Sequence, residues 1–138
     1  MIICDASAVI AVLDGSERLH GSARAALEDE GGPLVLSPFV CAEIDYLLGR
    51  RRGVDTEVAF LATVADETFR LAPFGASDVA RAIQVIDRYR DLDVGLVDAS
   101  IVVLAERFRT RKVFTLDRRH FDALRPLQGG RFEVLPAA

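Results

Sequence analysis

Four carboxylates stand where the surrounding sequence is apolar: Asp5 in MIICDASAVIAVLD, Glu43 in SPFVCAEIDYLL, Asp98 in VGLVDASIVVLAERF and Asp117 in KVFTLDRRHF. An ionised carboxylate removed from water is costly unless something pairs with it. Two like charges about 4 Å apart repel by roughly 4 kcal/mol at an effective dielectric of about 20, so four gathered in one place need a cation. Oxygen ligands without His or Cys favour Mg²⁺ or Mn²⁺ over zinc, and Mg²⁺ keeps several of its waters. The chemistry such a site suits is phosphoryl transfer, in which a metal-activated water attacks phosphorus.

Read singly, each acid also has an ordinary explanation. Asp5 and Asp117 follow strands and could cap helices, while Glu43 and Asp98 could each pair with an arginine. Four such coincidences are harder to accept together. Three neighbours could assist: Ser7 and Thr115 as hydrogen-bonding partners of a metal-bound water, and His120 as a contact to substrate or to such a water. RNA cleavage through the adjacent 2′-OH would want paired acid and base groups, and the chain's two histidines, His20 and His120, make an unpromising pair.

The elements that must position these residues alternate. Short apolar or β-branched runs at Ile2–Cys4, Leu34–Leu36, Phe69–Ala72, Val113–Thr115 and Phe132–Leu135 read as strands separated by helical patterns. This predicts an α/β fold whose central, mainly parallel sheet has helices on both faces. Ligands of open α/β sheets sit outside the carboxyl ends of the strands, where Asp5 and Asp117 would arrive.

Ser7 is a candidate cap for a short helix ending at Gly15, and Ser37-Pro38 opens the next helix; further helices are expected around Thr56–Asp66 and Ser77–Arg90, with Asp93 capping the one that carries Asp98. Glu43 falls within the apolar stripe Val40, Ile44, Leu47 and Leu48, and Asp98 beside the stripe Val94, Val97, Ile101, Leu104, Ala105 and Phe108. Asp45 is rotated toward solvent.

At 138 residues the chain suits a single domain, residues 1–138, with a real core. No run approaches the roughly 20 apolar residues that span a bilayer, and the N-terminus has no basic region before its apolar stretch, so a cytoplasmic protein is expected. Cys4 and Cys41 lack metal-binding spacing and read as small core residues. The net charge of −4 argues weakly against a nucleic-acid partner. Setting the four acids aside leaves acidic and basic residues equal in number, and the arginines cluster at Arg50-Arg51-Arg52, around Arg107–Lys112 and at Arg118-Arg119.

In order and spacing, the four quoted segments resemble the PIN-domain family, and more closely the VapC toxins of bacterial toxin–antitoxin pairs, over nearly the whole chain. The resemblance implies a three-layer α/β/α sandwich and an Mg²⁺- or Mn²⁺-dependent endoribonuclease. It places the acidic site on Asp5, Glu43, Asp98 and Asp117 with Ser7 as a polar neighbour, and many members have a further acid where this chain has His120. It also implies a homodimer inhibited by a VapB-type antitoxin. The apolar faces around Phe39, Tyr46 and Phe60 are candidates for the dimer contact or equally for the core. The LDRRHFDALRP ending is similar to members that cut the sarcin-ricin loop of ribosomal RNA, and other relatives cut transfer RNA.

Competing classes make distinct demands. A receiver-type signalling domain needs a Lys near a later strand end, whereas the sole lysine, Lys112, precedes its strand. An aspartyl-phosphate phosphatase commonly has a second acid two residues after the first, where this chain has Ser7. An inactive PIN-like binding module would have no need of the intact acid set.

Overall fold

The computed structural model describes residues 1–137. Five three-residue strands form one sheet: β1 (Ile2–Cys4), β2 (Leu34–Leu36), β3 (Phe69–Leu71), β4 (Lys112–Phe114) and β5 (Glu133–Leu135). Their order across the sheet is β3-β2-β1-β4-β5, and every pairing is parallel. The sheet therefore needs a crossover at each step. These are supplied by α1 (Ala6–Leu13), α2 (His20–Asp29), α3 (Pro38–Arg52), α4 (Val54–Ala65), α5 (Ala76–Arg88), α6 (Leu96–Arg107) and α7 (Arg118–Ala123). Helices flank the sheet in the three-layer α/β/α arrangement that the alternation predicts.

The strand positions were legible because a strand buried on both faces reads as a continuous apolar run. Ile3, Cys4, Val35, Leu36, Val113 and Phe114 are all fully buried. Helix α6 is the most enclosed helix: every residue from Ala99 to Ala105 is buried, so a single stripe understates its contact with α3, α5, β1 and β4. Buried hydroxyls tie it to α3, with Ser100 Oγ 2.8 Å from Ser37 Oγ, which itself accepts from the Val40 amide as the α3 cap. Gly53 ends α3 and starts α4 at φ +88°, a left-handed conformation that favours glycine.

Several local expectations are corrected. The cap of α1 is Asp5, whose side chain accepts from the Ala6 amide, and Ser7 lies inside the helix. The cap of α6 is Gly95, and Asp93 instead takes a left-handed turn at φ +55°. Helix α2 was not anticipated, because it is mostly polar and alanine-rich and buries only Ala23. Phe60 is core, whereas Tyr46 is exposed and Phe39 packs edge-on to Phe74 at 5.2 Å. Asp45 does not simply face solvent: its Oδ1 is buried without a partner, and its proximity pushes the Glu57 carboxyl of α4 upward. Cys4 and Cys41 are free thiols, Cys4 buried and Cys41 half-buried. Among the described residues no helix is long and apolar enough to cross a membrane.

At the amino edge of the sheet, Glu30 collects three donors: the Met1 ammonium at 2.9 Å, the Gly32 amide at 2.9 Å and Lys112 Nζ at 3.1 Å. A Cβ on Gly32 would lie 2.1 Å from the Met1 nitrogen, so only glycine allows this approach. Chiefly through the terminal ammonium, the cluster lowers the Glu30 carboxyl from 4.5 to about 2. A depressed carboxylate stabilises the fold above its unfolded value and loses that contribution as pH falls through the folded value. In urea unfolding, Glu30→Gln should therefore cost about 1–2 kcal/mol at pH 7, less than the full shift because Met1 and Lys112 are partly solvated. The difference from wild type should shrink from pH 4.5 toward pH 2, and a pH-independent difference would exclude the ionic origin.

Candidate active site

The carboxyl ends of β1 and β4 lie side by side, joined by the Asp5 amide donating to Phe114 O at 2.8 Å. Asp5 therefore leaves the sheet next to the segment that delivers Thr115 and Asp117. Its carboxylate is held by three donors: the Ala6 amide at 2.8 Å, Thr115 Oγ1 at 2.7 Å and Ser7 Oγ at 3.2 Å. The network closes on itself, since Thr115 Oγ1 accepts from the Asp117 amide and Ser7 Oγ from the Leu116 amide, each at 3.0 Å. Asp117 caps α7 by accepting from the His120 amide at 3.2 Å, and its side chain stays exposed. Both strand-end acids are thus helix caps, and both face a cavity; the two explanations hold together.

Glu43 arrives from the second turn of α3 and Asp98 from the first turn of α6. Asp5, Ser7, Glu43, Asp98 and Asp117 all line one polar cavity of about 350 Å³, together with Glu17 and Arg51. Glu43 does not enter the core as its stripe suggested. Val40, Ile44 and Leu48 are fully buried, while Glu43 and Leu47 sit on the helix shoulder facing the cavity. Asp98 is half-buried, and His120 Nε2 lies 2.9 Å from its Oδ2. With Asp98 ionised, that nitrogen carries the proton and donates.

The electrostatics register the crowding. Partial burial, followed by the charges of Asp5 and Asp98, pushes the Glu43 carboxyl upward. Burial and the Asp5 and Asp117 charges push Asp98 upward, against the opposing pull of His120. Such groups relax if a cation enters. No His or Cys lines the cavity, so the donor set suits a hard divalent ion, which Asp5, Glu43, Asp98 and Asp117 could hold. Among the described residues no group of three His, Cys, Asp or Glu side chains is close enough together to hold an ion.

Of the auxiliary candidates, Thr115 is the best placed, being fully buried and bonded to Asp5. His20 is elsewhere, its Nδ1 2.7 Å from Ala11 O. Thr115→Val should leave Asp5 without its shortest hydrogen bond and the Asp117 amide without an acceptor. It should destabilise the protein by about 1–3 kcal/mol and reduce any activity of the site; Thr115→Ser should restore both. A stable, fully active valine variant in paired melting and turnover measurements would remove Thr115 from the site. Sequence reasoning missed Glu17 and saw Arg51 only as a member of the Arg50-Arg51-Arg52 cluster, although Arg51 stands eight residues after Glu43 and so shares its helical face.

Residues 2–125 match the PIN domain family. This chain is a PIN-domain protein. The curated relative Ribonuclease VapC26 of Mycobacterium tuberculosis is 45% identical over 135 residues, spanning 98% of this chain and all of the relative, which places this PIN domain with the VapC ribonucleases. Solved structures agree on the fold. VapC20 of Mycobacterium tuberculosis, described as a sarcin-ricin loop cleaving toxin, superposes with a TM-score of 0.80 at 22% identity, covering 87% of this chain and 92% of that one. A toxin–antitoxin complex from Klebsiella pneumoniae gives a TM-score of 0.70 at 18% identity, covering 90% and 92%.

Proposed function

We propose that this PIN domain is the toxin of a type II toxin–antitoxin pair, an endoribonuclease dependent on Mg²⁺ or Mn²⁺. The observation carrying the reading is that Asp5, Glu43, Asp98 and Asp117, the first and last of them 112 residues apart, line a single cavity at the carboxyl edge of the sheet. When bound, the ion supplies water activation and charge stabilisation at phosphorus. The chain's own residues supply the frame. Ser7 and Thr115 fix the Asp5 carboxylate, His120 orients Asp98 through one oxygen, and Asp117 holds its place by capping α7. Residues beyond the family match add β5, which pairs with β4, consistent with one domain over residues 1–138.

The partner class is a VapB-type antitoxin, consistent with the toxin–antitoxin complexes among its structural neighbours. The chain acts as a homodimer in the cytoplasm, where its RNA is. The description of VapC20 makes the sarcin-ricin loop of ribosomal RNA the first target to test, with transfer RNA second.

The test is to induce wild type and Asp98→Asn in cells and map RNA 5′ ends. Wild type should create discrete new ends that the variant does not. Attack by water also leaves no 2′,3′-cyclic phosphate on the upstream fragment, unlike attack by the 2′-OH. Absence of new ends, or equal ends from both proteins, would refute the proposal.

A further inference from the structure

The cavity is acidic, yet the substrate proposed for it is a polyanion. Some cation of the chain must receive the RNA backbone; Arg119 lies in an adjoining groove with Asp117 and His120, and among the other arginine runs the partners differ. Arg107 donates to Pro73 O at 2.6 Å and Arg111 to Gly129 O at 2.7 Å, while Lys112 pairs with Glu30; none of the three lines the acidic cavity. Arg118 reaches Val134 O and Pro136 O and anchors the β5 segment. In the Arg50-Arg51-Arg52 run, Arg50 stacks over Tyr46 at 5.6 Å and Arg52 faces Asp14 at 3.7 Å. Arg51 alone of the three lines the cavity.

Arg51 lies on the same face of α3 as Glu43 and Leu47, at successive four-residue steps. Eight residues of α-helix place it about 12 Å farther along the axis than Glu43. That offset suits the backbone of a neighbouring nucleotide better than the phosphate undergoing attack. Its present partner is Glu17, with Nη1 3.6 Å from Oε1 and both side chains substantially exposed. That separation is too long for a hydrogen bond, so the pair is a loose, solvent-screened one. Glu17 is nonetheless held in place. Asp14 Oδ1 accepts from both the amide and the hydroxyl of Ser16, at 3.0 and 2.7 Å, and so shapes the loop between α1 and α2. A phosphate offers Arg51 a shorter and bidentate bond than Glu17 provides.

Resting on the ribonuclease reading, we propose that Arg51 grips an RNA phosphate beside the scissile one, and that Glu17 is its displaceable counterion, which RNA must replace on entering the cavity. Glu17 thus lowers affinity for RNA in general and favours substrates that engage Arg51 fully.

The test measures binding of a fluorescein-labelled RNA stem-loop by anisotropy in Mg²⁺, with each variant built on Asp98→Asn so that the probe survives, and cleavage in parallel on the wild-type background. Arg51→Gln should weaken binding roughly tenfold and raise KM with little change in kcat. It should also reduce the slope of log affinity against log salt by about 0.7, the signature of one lost phosphate contact on single-stranded RNA. Glu17→Gln should act in the opposite direction, tightening binding roughly two- to fivefold, and in the double variant it should add nothing to Arg51→Gln. Glu28→Gln and Arg24→Gln, an exposed pair on α2, control for net charge. A wild type that cuts RNA while Arg51→Gln keeps its salt slope, or while Glu17→Gln tightens binding no more than Glu28→Gln, overturns this inference alone. A wild type that neither binds nor cuts RNA overturns it together with the ribonuclease reading.

Discussion

Asp98→Asn should lower RNA cleavage about 10²–10³-fold at saturating substrate and Mg²⁺, while its thermal midpoint stays level or rises by a few degrees. The two halves of this result belong together. Burial and the neighbouring charges of Asp5 and Asp117 make the ionised Asp98 carboxyl unfavourable, and only His120 opposes them. Asparagine removes the charge, and its oxygen can still accept from His120 Nε2. A structural acid would behave differently, since removing one side of a needed ion pair destabilises. Paired measurements of turnover and melting decide the matter. A loss of more than about 5 °C would assign Asp98 a structural role.

Chelation should have the second large effect. EDTA should abolish cleavage entirely, and restoring Mg²⁺ or Mn²⁺ should recover it. Because an ion that binds only the folded chain stabilises it by mass action, saturating Mg²⁺ at about 100 times its dissociation constant adds about 2.7 kcal/mol. For a domain of this size that raises the midpoint by several degrees. Asp5→Asn should show a smaller rise, because it removes one of the four carboxylates while asparagine can still cap α1. This second readout does not depend on finding the right RNA. If neither ion shifts melting at millimolar concentration and cutting survives EDTA, the carboxylates serve some other purpose.

The parallel sheet and the four-acid set were legible in the sequence for related reasons. Buried strands such as Val35-Leu36 and Val113-Phe114 print as uninterrupted apolar runs, and an acid breaking such a run asks for an explanation. The role of Ser7 was legible only in part. A serine three residues after a strand looks like a cap, and the closeness of β1 to β4 shows instead that Asp5 caps α1 while Ser7 bonds the Leu116 amide. Helix α2 was hidden because it buries almost nothing apolar. Asp45 was misjudged because helical periodicity takes account of one helix at a time, and the Glu57 that confronts it comes from the next helix. Glu17 was invisible for the same kind of reason: its meaning lies in Arg51, 34 positions away and across a loop.

The central position of β1 bears on how the acidic cavity comes into being. β1 pairs on one side with β2, but its other neighbour, β4, and the Thr115 that clasps Asp5 come from more than a hundred residues farther along the chain. The cavity is therefore the product of one long loop closure and of no local segment, and a chain in which β4 has not docked beside β1 lacks both the clasp on Asp5 and the approach of Asp117.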